Sequence, residues 1–344
     1  MIKKPENILI VRTDRIGDVV LSLPLAKIIK KKFPEAKITF LLKNYTKDLA
    51  RNHPYIDNLL ILEEEGGTVK FKENIKNIQK LKFDTCVVVY PTFKISLILF
   101  LAGIKHRIGT GYRWYSFLFN EKFYEHRKYG EKHELEYNIN LLKLLGIDDI
   151  EPENDISFDI RIDEKSEQKV NDLLQKNGFN PNIPTVIIHP GSGGSAIDLP
   201  IHKFRDLTGN LARELNLNLL ITGSEKEKEI CKEVKGNSKS IDLSGKFNLS
   251  ELIALINKAD ILIANSTGPI HIAGALGKYV IGFYPPIPAL SPKRWGPYTS
   301  KKVIFTPKLD CENCTRKKCE ELNCMNTIEI SEVVDAVKQI LQRN

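Results

Sequence analysis

The sequence predicts an α/β protein built from two doubly wound parallel sheets. Three observations carry that expectation. Short β-branched runs alternate with helical segments in both halves; the runs are apolar throughout, as strands buried on both faces are; and in the second half each run ends in a small polar loop. At 344 residues the chain also exceeds the ~250 to 300 residues at which one hydrophobic core stops growing, so two domains are expected.

The elements follow in order. The stretch "ILIVRTDRIGDVVLSLPLAKIIKKKFP", residues 8–34, reads as a strand over Ile8–Arg12, a tight turn, and a helix from Gly17 to Lys32 closed by Pro34. Its turn holds one glycine and two aspartates, Asp14 and Asp18, where a dinucleotide-binding turn would hold three glycines. Ala36–Leu42 and Asp84–Tyr90 are further strands, and Arg107–Gly109 begins another. A helix from Glu131 places His133, Tyr137, Leu141 and Leu145 at helical spacing, and the acidic, proline-marked Asp148–Ile162 reads as a linker. Thr185–His189, Asn218–Thr222, Ser240–Leu243, Asp260–Ala264 and Tyr279–Tyr284 are the strands of the second half. Residues 1–160 and 161–330 are thus two Rossmann-like domains with their ligand expected between them. A last helix over 331–344, apolar at Val333, Val334, Val337 and Leu341, is expected to pack back toward the first domain.

Composition narrows the class. With 42% hydrophobic and 27% charged residues the chain belongs with globular proteins. Its start lacks the apolar core of a signal peptide, and its most apolar stretch, Ile95–Ile104, is well short of the ~20 residues that span a bilayer, so a cytoplasmic location is expected. The net charge of +8 favours an anionic partner, or simply solvated lysine-rich helix faces; no nucleic-acid module is present. Cys311, Cys314, Cys319 and Cys324 form C-x2-C-x4-C-x4-C, whose alternatives are a structural zinc, reduced thiols or disulfides.

The polar loops of the second half are "HPGSGGSA", "TGSEKE", "LSGKFNLS" and "NSTGPIH". Glycines, hydroxyls and helix N-termini together suit a diphosphate. The ordered set "RTDRIGDVVLSLP", "IIHPGSGGS", "TGSEKE", "DLSGKFNLSELIALINKADILIANSTGPIHIAGALG" and the terminal cysteines resembles the ADP-heptose:lipopolysaccharide heptosyltransferases, glycosyltransferase family 9. The resemblance implies the GT-B fold and inverting, metal-independent transfer, with no cofactor required. It implies that Asp18 is the general base, and that Gly191, Ser192, Gly193, Gly194, Glu225, Thr267, Gly268 and His271 bind the donor. For Asp14 a turn or capping role is expected instead.

Two positions depart from the family pattern. Ile197 stands where K-x-W-P has its lysine, with His202 and Lys203 as candidate substitutes, and Ser266 stands where D-[ST]-G-x-x-H has its aspartate. Both bear on the donor's identity, and another nucleotide sugar, or a nonenzymatic nucleotide-binding protein of the same fold, are the alternatives. On the acceptor side, "RIGTGYRWYSFLFNEKFYEHRKYG" offers Arg113 and Lys122 among aromatics. Such a segment suits a phosphorylated glycolipid, a lipopolysaccharide acceptor, and peripheral contact with the inner membrane. An aromatic domain edge packed on the following helix is its other reading.

Overall fold

The computed structural model describes residues 4–309 and 314–343. The chain divides into two units, Met1–Arg127 with Glu134–Arg161, and Lys128–His133 with Ile162–Asn344. The main boundary falls one residue later than the sequence suggests, and the short return of Lys128–His133 to the second unit has no sequence signal.

The first unit contains β1 (Asn7–Val11), β2 (Lys37–Leu42), β3 (Asn58–Ile61), β4 (Glu64–Glu65), β5 (Thr68–Val69), β6 (Thr85–Val88), β7 (His106–Thr110) and β8 (Glu121–Phe123). β4 and β5 make a small antiparallel hairpin. The other six form a parallel sheet in the order β3-β2-β1-β6-β7-β8. Successive side chains of a strand point to opposite faces, and Ile8, Leu9, Ile10 and Val11 are all buried, so both faces of β1 are covered.

The helix expected over Gly17–Lys32 is two helices, Ile16–Val20 and Pro24–Lys32. Pro24 has no N–H for the preceding turn, so it starts a new helix, a position its ring favours. The helix expected from Glu131 begins at Glu134, runs to Asn140, and tightens into a 3-10 turn over Leu141–Leu145. The linker stretch is also more ordered than its composition suggests. It holds a short helix, Pro152–Asp155, whose buried Asp155 accepts from Lys31 Nζ at 2.6 Å and from the Glu151 amide at 2.9 Å.

The second unit repeats the plan with β9 (Thr185–His189), β10 (Asn218–Ile221), β11 (Ile241–Asp242), β12 (Ile261–Asn265), β13 (Tyr279–Phe283) and β14 (Lys302–Phe305). The sheet order is β11-β10-β9-β12-β13-β14, again parallel. Strand order therefore reverses between β1 and β6 in one unit and between β9 and β12 in the other. Doubly wound sheets bind ligands beyond the carboxyl ends of strands at that point.

The terminal helix, Ile330–Arg343, belongs to the second unit. Its stripe of Val333, Val334, Val337 and Ile340 completes the second unit's core with Leu207 and Leu211 of the helix Ile201–Glu214. Lys338 Nζ adds a surface ion pair to Glu214 at 2.8 Å.

Val337→Ala is expected to destabilise the second unit by about 2 kcal/mol, and Lys338→Ala by under about 1 kcal/mol. Equilibrium urea unfolding checks both; equal small losses would mean that this helix is not part of that core.

Candidate active site

In the first unit the site is built where β1 ends. Arg12 follows the last β1 residue and is 1% exposed, yet it carries a full charge. Burial alone would favour neutral arginine, but Asp14, Asp18 and Glu134 outweigh it and raise its pKa. Arg12 Nε donates to Asp14 Oδ1 at 2.8 Å, and one terminal nitrogen donates to Asp18 Oδ1. The other lies 3.6 Å from Glu134 Oε1 and 3.4 Å from Asn138 Oδ1. Arg127 joins the same group, ion-paired to Glu134 and donating to Asn138 Oδ1 at 2.9 Å. Asn138 Nδ2 in turn donates to Leu21 O at 3.0 Å, which fixes the turn after the Asp18 helix.

Asp18 sits in the first turn of a helix only five residues long. So short a helix has a small dipole, and the Arg12 guanidinium is the stronger anchor for the carboxylate. Asp18 Oδ2 accepts no hydrogen bond from the described residues. Asp14 is more than a turn residue: its carboxyl is pushed up to about 6, by burial first and then by Asp18, against the pull of Arg12. Nothing in the sequence near Asp18 announces Glu134 and Asn138, which arrive from a helix more than a hundred residues on.

In the second unit, the loops after the two central strands are stitched together. Asn265 at the end of β12 donates to Pro190 O at 2.6 Å and accepts from the Leu199 amide at 2.9 Å. Ser195 Oγ donates to Ser266 O at 3.0 Å. Gly193 and Gly194 take φ of 56° and 76°, the left-handed region that glycine enters at least cost. At Gly191 a Cβ would lie 1.9 Å from Glu227 Oε1, so a larger residue there would displace the Glu227 carboxylate.

Glu227 is the acid at the glycine loop. It closes a capping box with Ser224, whose N and Oγ both donate to Glu227 Oε2 at 2.7 Å. Burial opposes its ionisation, but Ser224, the nearby His189 and the Gly193 amide hold its pKa below the ordinary value. Glu225, the acid singled out by resemblance, is instead largely exposed and paired to Lys228 at 2.6 Å. Ser192 Oγ is committed to Asp198 Oδ2 at 3.0 Å, and burial pushes the Asp198 carboxyl up to about 6.

Thr267 precedes the helix Gly268–Ala275 without capping it through its side chain. His271 is buried in that helix, its Nδ1 has no hydrogen-bond partner, and burial with the nearby His133 pushes the imidazole down to about 3. Ile197 is a core residue. Of the candidate substitutes, His202 Nε2 meets Asn326 Oδ1 at 2.9 Å and Lys203 Nζ donates to Ile328 O at 3.2 Å, both on the terminal segment. Arg113 lies in the loop after β7 and Lys122 on edge strand β8.

Cys311 lies outside the described residues. Cys319 and Cys324 are buried, and the Cys319 thiol is pushed up to about 12, by burial first and then by Cys324 and Cys314. Among the described residues no group of His, Cys, Asp or Glu is arranged to hold a metal ion, so no step is derived through zinc.

Two doubly wound parallel-sheet units, one with a buried acid cluster after its first strand and one with stitched glycine loops, are the plan of the GT-B fold. Residues 72–325 match the model of glycosyltransferase family 9 (heptosyltransferase), and the chain belongs to that family. A putative glycosyltransferase of Haemophilus influenzae is 31% identical over 88% of this chain and 89% of its own. The lipopolysaccharide core heptosyltransferase OpsX of the same species is 24% identical, covering 98% and 97%. The Escherichia coli ADP-heptose lps heptosyltransferase II has the same fold, with a TM-score of 0.80 at 19% identity over 98% and 99% of the two chains.

Arg12→Met strands three acids together and is expected to destabilise the first unit by about 3–5 kcal/mol at pH 7. Unfolding at pH 5, where Asp14 is protonated, should reduce that loss; an unchanged loss would remove charge as its cause. His189, hydrogen-bonded to Thr222 Oγ1 at 2.9 Å, is pushed down to about 4 by burial, with Glu227 acting in the other direction. The unfolded chain takes up a proton near pH 6.5 that native His189 refuses, so this stability is whole above pH 6.5 and declines as pH falls toward 4, by about 3 kcal/mol. Asp14 acts in the opposite sense, so the readout is the His189→Asn variant, which should show a shallower loss than the parent in urea unfolding between pH 7 and 4.5.

Proposed function

We propose that this glycosyltransferase moves heptose from ADP-heptose onto a lipopolysaccharide inner-core acceptor, inverting the anomeric centre without a metal, with Asp18 as general base. The observation that carries the reading is the Asp18 carboxylate, whose Oδ1 is held by Arg12 while Oδ2 accepts nothing from the described residues. As the acceptor oxygen bonds to C1 of the sugar, its proton passes to Asp18 Oδ2 and the C1–O bond to the nucleotide diphosphate breaks on the opposite side. One displacement inverts the centre. Arg12 holds Asp18 oriented throughout and is its positioning residue.

The leaving diphosphate gathers negative charge, and the reading assigns its stabilisation to the backbone amides of Gly191 and Gly194, with Gly193 shaping the loop while its own amide serves Glu227, and to the helix that opens at Gly268 after Thr267. The Ser192 hydroxyl, being bonded to Asp198, contributes shape rather than a direct donor. His271 Nδ1, buried without a partner, supplies a further polar atom for phosphate or sugar, and Glu225, exposed at its turn, is the candidate for the ribose. Arg113 and Lys122 are assigned to a phosphorylated, lipid-anchored acceptor, which the enzyme meets from the cytoplasmic side in peripheral contact with the inner membrane. Among the described residues no helix is long and apolar enough to cross a membrane.

Asp18→Asn should lower kcat by about 10²- to 10⁴-fold while the thermal shift given by ADP stays that of the parent protein. Unchanged turnover would remove Asp18 as the base. ADP should raise the melting temperature where UDP, GDP and CMP do not; a selective UDP or GDP shift would retain the transferase and discard ADP-heptose, the outcome that Ile197 and Ser266 favour.

A further inference from the structure

Of the thirteen large hydrophobic side chains left exposed among the described residues, eight fall between Tyr90 and Tyr124. The most exposed are Trp114 at 72%, Phe117 at 66% and Tyr124 at 63%. A monomer scatters exposed hydrophobics singly, and a concentration of this kind marks an interaction surface.

The exposure does not come from a loop that failed to pack. Tyr115, Leu118 and Phe119 of the same loop are buried in the first unit's core. The Tyr115 hydroxyl donates to Pro91 O at 2.8 Å, Ser116 Oγ donates to Thr110 O at 2.7 Å, and the Arg113 amide donates to Ser116 Oγ at 2.9 Å. The backbone is thus fixed, with Trp114 and Phe117 left outside. Trp114 stacks on Phe93 with ring centroids 4.8 Å apart, and Tyr112 stacks on His126 at 3.7 Å, so the exposed rings are held rigid.

Charge identifies the occupant. Residues 90–127, the part of this stretch in the first unit, hold six Lys and Arg against two Glu, a net +4 that is half of the chain's +8. Lys94 and Arg113, next in sequence to Phe93 and Trp114, are exposed with the rings. Tryptophan and tyrosine flanked by cations suit the headgroup layer of an anionic bilayer, where rings enter the acyl boundary and cations meet phosphate. The loops carrying Tyr90, Phe93 and Tyr112–Phe117 leave the carboxyl ends of β6 and β7, the end of the sheet at which β1 delivers Asp18.

We infer that the aromatic loop around Trp114 and Phe117, with its rim of lysine and arginine, docks the first unit on an anionic phospholipid bilayer. This rests on the proposed use of a lipid-anchored acceptor and names the surface that reaches it. An insertion of two large rings gives binding that survives dilution, and the cations make it depend on salt and on lipid charge.

The test is co-sedimentation of the full chain with vesicles of phosphatidylethanolamine and phosphatidylglycerol, and with phosphatidylcholine alone. The anionic vesicles should take the protein down, with a blue shift of tryptophan emission, and the neutral ones should bind at least tenfold less. Trp114→Ala/Phe117→Ala should weaken partition tenfold or more and lose the shift, and Lys94→Glu should lower the preference for anionic lipid at least threefold. Both variants should keep the parent's ADP thermal shift and its turnover of a delipidated acceptor. Absence of vesicle binding by the parent, or equal binding by the aromatic variant, overturns the inference. So does loss of turnover on the delipidated acceptor, which would make the surface a saccharide subsite, or self-association in light scattering that the aromatic variant abolishes. Vesicle binding that behaves as expected in a protein inactive toward every heptosyl acceptor would instead fail the proposed reaction and leave the docking surface standing.

Discussion

The first unit's site depends on one buried charge. Arg12 sits at the end of the central strand where its side chain cannot reach bulk water, and a guanidinium there is tolerated only with carboxylates around it. Each partner it gathers has a second consequence. Holding Asp18 orients an acid after β1; holding Asp14 places two carboxyls close enough that one favours its proton; and holding Glu134 and Asn138 ties the helix Glu134–Asn140 to the turn after the Asp18 helix. A rigid acid at a strand end is therefore a by-product of keeping arginine charged.

The second unit solves a different problem by different means. Its glycine-rich loops are ordered by side chains that bond to the backbone of neighbouring loops. Asn265 and Ser195 join the β9 and β12 loops, and Glu227 fills the space that a side chain at Gly191 would take. Ordering is thus supplied from the flanks, with the Gly193 amide directed to Glu227.

Much of this was legible in the sequence, for physical reasons that differ by element. Central strands are buried on both faces and announce themselves as apolar runs, as at Ile8–Val11 and Ile261–Ala264. Among the edge strands, β8 is mainly polar and carries no such signal, while Leu59–Ile61 of β3 and Val303–Phe305 of β14 are apolar runs too short to separate a strand from a helix segment by pattern alone. Glu227 was readable, since Ser224-x-x-Glu227 is a capping box, but resemblance drew attention to Glu225 two residues earlier. Arg12 offered a fainter sign, a cation closing an apolar run with acids two and six residues on. Glu134 and Asn138 had none, because only the fold brings them back to β1. The terminal helix shows a further limit: its apolar stripe is plain at Val333, Val334 and Val337, but a stripe says that a helix packs and not on what.

The excursion of Lys128–His133 bears on how this protein can be dissected. Because the polypeptide leaves the first unit after Arg127, returns at Glu134 and leaves again after Arg161, no single cut yields two intact halves. A fragment starting at Ile162 would lack His133, whose Nε2 bonds Gly296 O at 2.7 Å and whose ring meets Tyr298 edge-on at 5.0 Å, beside buried His271. Chimaeras that exchange second units between relatives must therefore carry two segments of sequence, and a shuffle at the linker alone would leave each second unit missing a histidine encoded about thirty residues upstream.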